Sequence, residues 1–336
     1  MKKLKIKISR EFYLTLSISI LILLIINSCT RIMDYDDINF EKKLVVNGVI
    51  YQDSLVKINV SRNKSILEAV SILPFIENAL AKLFENGTFI ETLIYDSMGY
   101  YHSNLITKAK TSYKVEVEVA EYDKAIAYFK FEEIKNYSVN VIKTQIFDST
   151  YHVFLPFETD TNVTSVNVEL DLSFTDNSNQ NNFYDWKAET DNPFYIYEEC
   201  VDNDCITRLL AISESDDSRH IYLAFSNQSD YYKYNSNSYH CYDGFYCNGQ
   251  LSDDLFNGDN ITLSFNTNYM TNDLNPISLF LYSYPEGYIN YWETLMLYQD
   301  ARNNPFSQPV NIYSNVENGI GFVCGITCCK VEINLN

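Results

Sequence analysis

Residues 164–176 read TSVNVELDLSFTD, with Val166, Val168, Leu170, Leu172 and Phe174 at every second position and polar side chains between them. A helix would scatter that pattern around its surface. Only an extended strand, whose side chains alternate between two faces, gathers it into one buried row. Tyr113, Val115, Val117 and Val119 repeat the pattern against charged neighbours, and Val56, Ile58 and Val60 repeat it earlier. Asn86-Gly87 lies between two apolar runs in LFENGTFIETLIYD, a strong short-range hairpin signal. The segment SILPFIENALAKLF reads as a loop feeding a strand. NNFYDWKAETDN, RLLAISES, RHIYLAFS, NITLSFNT and PISLFLYS continue as strands separated by asparagine-rich loops. One segment departs from this. In EGYINYWETLMLYQDARNNPF, Ile289, Trp292, Leu295, Met296 and Gln299 fall near helical spacing, which predicts an amphipathic helix over about 286–301 packing its aromatic stripe on a sheet.

The expected fold is therefore all-β. Residues 40–135 are expected to form an immunoglobulin-like or carboxypeptidase-regulatory-like β-sandwich, and 136–336 a larger β-rich domain carrying the helix. Tyr, Ile, Val, Thr and Phe suit half-buried strands, and the 28 tyrosines lean the same way.

The amino terminus has its own logic. Lys2, Lys3, Lys5, Lys7 and Arg10 precede an apolar run from Phe12 to Ile26, short for a membrane span, which needs roughly 20 residues. The run ends at Ile26-Asn27-Ser28-Cys29, which resembles the bacterial lipobox. In that motif the cysteine thiolate takes a diacylglycerol, and the peptide is cut before it. Residues 1–28 then read as a lipoprotein signal peptide, Cys29 as the acylated residue and 29–39 as an acidic tether. Several acyl chains anchor far more firmly than one. An uncleaved anchor helix is the competing reading. Asp34, Asp36 and Asp37 resemble the acidic stretch that marks surface export.

Charge narrows the partners. The chain carries 25 basic and 44 acidic side chains, a formal net charge of −19, and residues 1–28 hold five of the basic ones and one acidic one. Such a field disfavours nucleic acid.

Eight cysteines are present. With Cys29 lipidated, the spacings CVDNDC and CYDGFYC invite local disulfides Cys200–Cys205 and Cys241–Cys247, free or crosswise-paired thiols or a bound metal being the alternatives, and one cysteine of CGITCC should be left over.

No catalytic constellation emerges. His102, His152, His220 and His240 have no metal-ligand spacing, and GxSxG, Walker and GxGxxG motifs are absent from the sequence. Asp216-Asp217 and Asp253-Asp254 read as solvated loops, with a weak calcium site in DNDC or SDDLFNGDN as the sharper alternative. No cofactor beyond the lipid is expected, and no enzyme activity. The most suggestive patch is SDYYKYNSNSYHCYDGFYCNG, where Tyr231, Tyr232, Tyr239, Tyr242 and Tyr246 crowd one segment. Tyrosine gives contact area at low entropic cost and stacks on sugars, so a glycan or peptide ligand is one reading. Inward-facing strand residues are the other.

LVVNGVI, LFENGTFIETLIYDSMGYYHS, SFTDNSNQNNFYDW, SDDLFNGDNITLSF and above all NPFSQPVNIYSNVENGIGFVCG together resemble a Bacteroidota lipoprotein family, domain of unknown function 4249. TCCKVEINLN replaces the family's usual aromatic-rich end, which leaves the role of Cys328 and Cys329 open. The resemblance implies an acylated outer-membrane protein, often encoded near TonB-dependent transporters, with no catalytic residues to carry over. It suggests a non-enzymatic accessory that captures ligand at the cell surface. A structural or adhesive protein that binds another envelope protein is the alternative.

Overall fold

The computed structural model describes residues 40–65, 68, 73–155, 157–177, 181–191, 193–201, 204–211, 220–221, 223–225, 251–253, 258–271, 273–302, 306–308 and 310–335. Its strands and helix belong to one compact unit, Lys42–Lys64 with Ala69–Asn336. Of the second unit, Met1–Glu41 with Ser65–Glu68, only residues 40, 41, 65 and 68 are described. The first eight strands are β1 (Leu44–Tyr51), β2 (Leu55–Arg62), β3 (Leu80–Glu85), β4 (Thr88–Thr92), β5 (Ile94–Tyr95), β6 (Tyr100–Ile106), β7 (Ser112–Glu118) and β8 (Ala125–Lys130). Two long strands follow, β9 (Lys135–Leu155) and β10 (Phe157–Thr175), then β11 (Asn182–Glu189), β12 (Pro193–Val201), β13 (Asp204–Ala211), β14 (His220–Ile221) and β15 (Ala224–Phe225). The chain closes with β16 (Leu251–Ser252), β17 (Asn260–Thr271), β18 (Ile277–Pro285), helix α1 (Glu286–Arg302) and β19 (Val323–Ile333).

Among the described residues these strands make three sheets. Nine strands run in the order β14-β11-β18-β19-β1-β2-β6-β5 with β16 beside β11, six in the order β13-β12-β17-β10-β9 with β15 beside β17, and four in the order β4-β3-β7-β8. The protein is mainly β with one helix near its carboxyl terminus, as the alternation predicts. The opening stretch lies in β10, which pairs with β17 from Thr164↔Thr271 to Thr175↔Asn260, and its five apolar side chains are buried. Asn86 and Gly87 turn β3 into β4 with φ of 48° and 83°, the left-handed pair that a tight hairpin requires.

One face of the nine-stranded sheet closes two cores. At the β1–β2–β6 end, Val46, Ile58, Val60 and Tyr101 meet Leu83, Val115 and Phe129 of the four-stranded sheet. Around β11 and β18, Trp186, Leu279 and Leu281 meet Val168, Leu170, Leu263 and Phe265 of the six-stranded sheet. β19 spans both, with Val323 in the first core and Ile333 in the second.

The sheet therefore runs continuously across the position near 135 where sequence divides the chain. The joint is the parallel pairing of β1 with β19, from Gly48↔Val323 to Tyr51↔Ile326. NVENGIGFVCG is shaped for this approach. A Cβ on Gly325 would lie 2.6 Å from the Lys130 carbonyl oxygen, and Gly321 adopts φ +117° with the Val46 carbonyl closer still. Asn315 fixes the end of the run, donating from Nδ2 to the Val323 carbonyl at 2.7 Å and accepting the Val323 amide at 2.9 Å.

Two expectations are corrected here. Cys324, Cys328 and Cys329 are all free, where pairing was expected to leave one over. Cys324 and Cys328 stand four residues apart on one extended strand, about 13 Å, while Cys328 and Cys329 point to opposite faces. A disulfide needs Cα atoms about 4–7 Å apart with converging Cβ vectors. The helix has nearly its expected bounds, with Glu286 in its first turn and Arg302 in its last to complement its dipole, but none of its residues is fully buried. Its sheet contact runs through Tyr288 and Tyr291 rather than Ile289 and Leu295, because the surface beneath is aromatic and stacks rings.

Candidate functional site

The other face of the nine-stranded sheet carries an aromatic surface. In β11 the even-numbered residues Tyr184, Trp186 and Ala188 are buried, so Phe183, Asp185, Lys187 and Glu189 point outward. In β18, Ile277, Leu279 and Leu281 fill the core, which turns Phe280, Tyr282 and Tyr284 to the same outer face. Cys324, Ile326 and Cys328 of β19 and Tyr51 of β1 continue it. Helix α1 leaves β18 without a loop, which sets Tyr288 and Tyr291 over this surface. Thr294 anchors the segment beyond the helix, since its Oγ1 accepts the Tyr313 amide at 2.8 Å and donates to the Asn290 carbonyl at 2.7 Å.

The rings form a continuous string. Tyr51 meets Tyr282 edge-on at 6.1 Å, Tyr282 stacks along Phe280 at 6.2 Å, and Tyr284 stacks on Tyr288 at 4.7 Å. Tyr291 lies flat on Phe322 at 4.8 Å and 12°. Within this string stands Asp185, directly across from Tyr282 in the register. Its Oδ1 accepts the Trp186 amide at 2.7 Å. Burial pushes its carboxyl up to about 7, only partly opposed by that bond. Burial also raises Tyr288 to about 12, Cys324 to about 12 and Cys328 to about 11, so these thiols stay protonated and poorly nucleophilic. Tyr51, Tyr282 and Tyr284 are raised too, by burial first.

A second polar assembly lies on the opposite side of β11. Asp176 accepts the Tyr184 hydroxyl at 2.5 Å and the Gly258 amide at 2.8 Å, and Asp253 accepts the Asn182 amide at 2.7 Å. Asp253 is 1% exposed, which corrects its reading as a solvated loop carboxylate. Its place in the chain made it look exposed, but a buried carboxylate is sustained when backbone amides meet its lone pairs. Asp176 and Asn182 thus reach Gly258 and Asp253, bracing the two stretches of chain against one another. Among the described residues no three His, Cys, Asp or Glu side chains converge on a common point.

A shallow cleft of about 390 Å³ opens between Lys110, Thr111, Lys130, Glu132 and Lys135. Lys110 binds Glu133 at 2.6 Å and Lys130 binds Glu132 at 2.5 Å, so two of its three cations are already neutralised.

The sequence-derived candidates lie elsewhere. Register sets Cys200 opposite Cys205 across the β12–β13 hairpin. Cys29, Cys241, Cys247, Tyr231, Tyr232, Tyr239, Tyr242 and Tyr246 are outside the described residues. Sequence reasoning missed Asp185 and the outer aromatic row. One signal was available: SLFLYSYP is apolar at both odd and even positions, the mark of a strand covered on both faces.

No curated protein matches this chain. Among solved structures, Escherichia coli alpha-2-macroglobulin activated by porcine elastase aligns at 9% identity with a TM-score of 0.21, covering 72% of this chain. The chain spans 18% of that protein's length, and so slight a likeness carries no further meaning. The family description for a domain of unknown function (DUF4249) matches residues 31–328, so the chain belongs to the DUF4249 family.

Proposed function

We propose that this protein is a non-enzymatic outer-membrane lipoprotein, anchored through Cys29 and exposed at the cell surface, that captures a ligand for a TonB-dependent transporter. The observation that carries the capture role is the outer face of the nine-stranded sheet. One face of that sheet already closes two cores, while on the other, beside the small cluster of Tyr284, Phe322, Cys324 and Ile326 under α1, Phe280 and Tyr282 are only partly covered and Tyr51 is exposed. Aromatic walls with a few polar groups are the usual make-up of a ligand site. The anchor is supported by the order of basic residues, apolar run and lipobox over residues 2–29, and the transporter partnership by the family resemblance of the sequence. An adhesive protein that binds another envelope protein is the rival, favoured by the exposed Leu297 and Tyr298 on α1.

Two measurements test this reading. Metabolic labelling with a fatty-acid analogue should mark the wild-type chain and leave Cys29→Ser unlabelled; undiminished label in the variant would remove the anchor. Glycan and peptide panels should yield a ligand whose capture falls in Tyr51→Ala. Equal capture by both proteins would move the site off this face.

A further inference from the structure

We infer that this face holds the substituted ammonium group of a small organic cation, with Asp185 as its counter-charge and Tyr51, Tyr282, Tyr284 and Tyr288 as its walls. The inference deepens the capture role proposed above and rests on it.

Among the described residues, Asp185 stands beside the rings of Tyr51, Tyr282, Tyr284 and Tyr288 without a cation of its own. Among the described residues its hydrogen bond comes from the Trp186 amide. Lys187 and Lys330 share the outer face, but Lys187 is drawn 2.7 Å from Glu189 and Lys330 2.7 Å from Glu332. A carboxylate whose ionisation burial opposes, pushed up to about 7, gains from any cation that seats beside it. The surrounding rings favour the same occupant, because an aromatic face is the negative side of its quadrupole.

Other classes of ligand fit less well. An anion would meet both Asp185 and a chain of net charge −19. A bare metal ion wants several oxygen ligands, and Asp185 is a single carboxylate among the phenol rings of Tyr51, Tyr284 and Tyr288. An ammonium carrying alkyl groups is weakly hydrated, matches the apolar walls and needs one counter-charge. Tyr51, 45% exposed, leaves the string open to solvent at the β1 end.

Calorimetric titration of the full chain in detergent tests this with two probes of the same shape, tetramethylammonium and the uncharged 2,2-dimethylpropan-1-ol. Tetramethylammonium should bind saturably and about tenfold or more tightly than the alcohol. Asp185→Asn should erase that preference while leaving the alcohol's affinity unchanged. Tyr51→Leu, at an exposed ring that the fold does not need, should shrink the preference without lowering the melting temperature. No binding of tetramethylammonium, equal binding of the two probes, or a preference that survives Asp185→Asn would each overturn the proposal. If it falls while a glycan or peptide is still captured and lost in Tyr51→Ala, the capture surface stands without the cation. If that capture is unaffected too, both readings fall.

Discussion

The two faces of the nine-stranded sheet share one backbone and differ in almost everything else. On the inner face Leu279, Leu281, Val46 and Ile58 are fully buried against a second sheet, with aliphatic side chains that have no polar atom to satisfy. The outer face at the same strands carries tyrosines, a carboxylate and thiols, partly covered by a helix that buries none of its own residues completely. A sheet in a β-sandwich needs one apolar face for stability. The outer face carries its own small buried cluster of Tyr284, Phe322, Cys324 and Ile326, and beside it holds a carboxyl group in conditions that oppose its charge.

The contrast can be broken by substitution. The largest effect belongs to the inner face: Phe265→Ala, which empties a fully buried site against Trp186 at 4.8 Å, should cost about 3–5 kcal/mol in denaturant unfolding. Asp185→Asn should come next, with the opposite sign. The carboxyl is raised from 3.8 to about 7 in the folded state, so the folded chain binds its proton more tightly and loses stability as pH climbs from about 4 to about 7. The amide should therefore stabilise at pH 8 by about 2 kcal/mol, less than the full shift allows because the group is partly solvated, and should be nearly neutral at pH 4. Tyr51, Tyr282, Tyr284 and Tyr288 lie beside it and titrate well above this window, and Lys187 is held by Glu189. Stability curves that coincide at both pH values would mean that Asp185 is freely hydrated. The smallest effect is expected at Tyr51→Ala, about 1 kcal/mol or less for a ring 45% exposed. A cost near that of Phe265→Ala would make Tyr51 part of the buried cluster of Tyr284, Phe322, Cys324 and Ile326.

Local signals carried most of the strand assignments. Alternation in residues 164–176 and 112–118 gives both the strand and its buried side, and Asn86-Gly87 gives the turn, because each depends on neighbours in sequence. The same logic passed over Asp185 and misled at Asp253. Alternation places Asp185 on the face away from the core and so suggests water, but α1 and β18 bring rings over it from about a hundred residues away. Asp253 lies in a polar run, yet Asn182 reaches it with a backbone amide. The parallel meeting of β1 and β19 left no local trace beyond glycines whose purpose is visible only when the neighbouring carbonyls of Val46 and Lys130 are in place.

That meeting bears on how the protein comes into being. The Phe322 amide finds Asn47 Oδ1 across 275 residues, so the middle of the largest sheet closes through one of the least local contacts available to the chain. Loop closure over such spans is slow relative to hairpin formation. Until β19 arrives, β1 and β18 each present an unpaired edge rich in Val, Ile and Leu, the kind of template on which chains aggregate. β1 emerges from synthesis long before β19, which makes the interval between the two the period in which these unpaired edges are most exposed to aggregation.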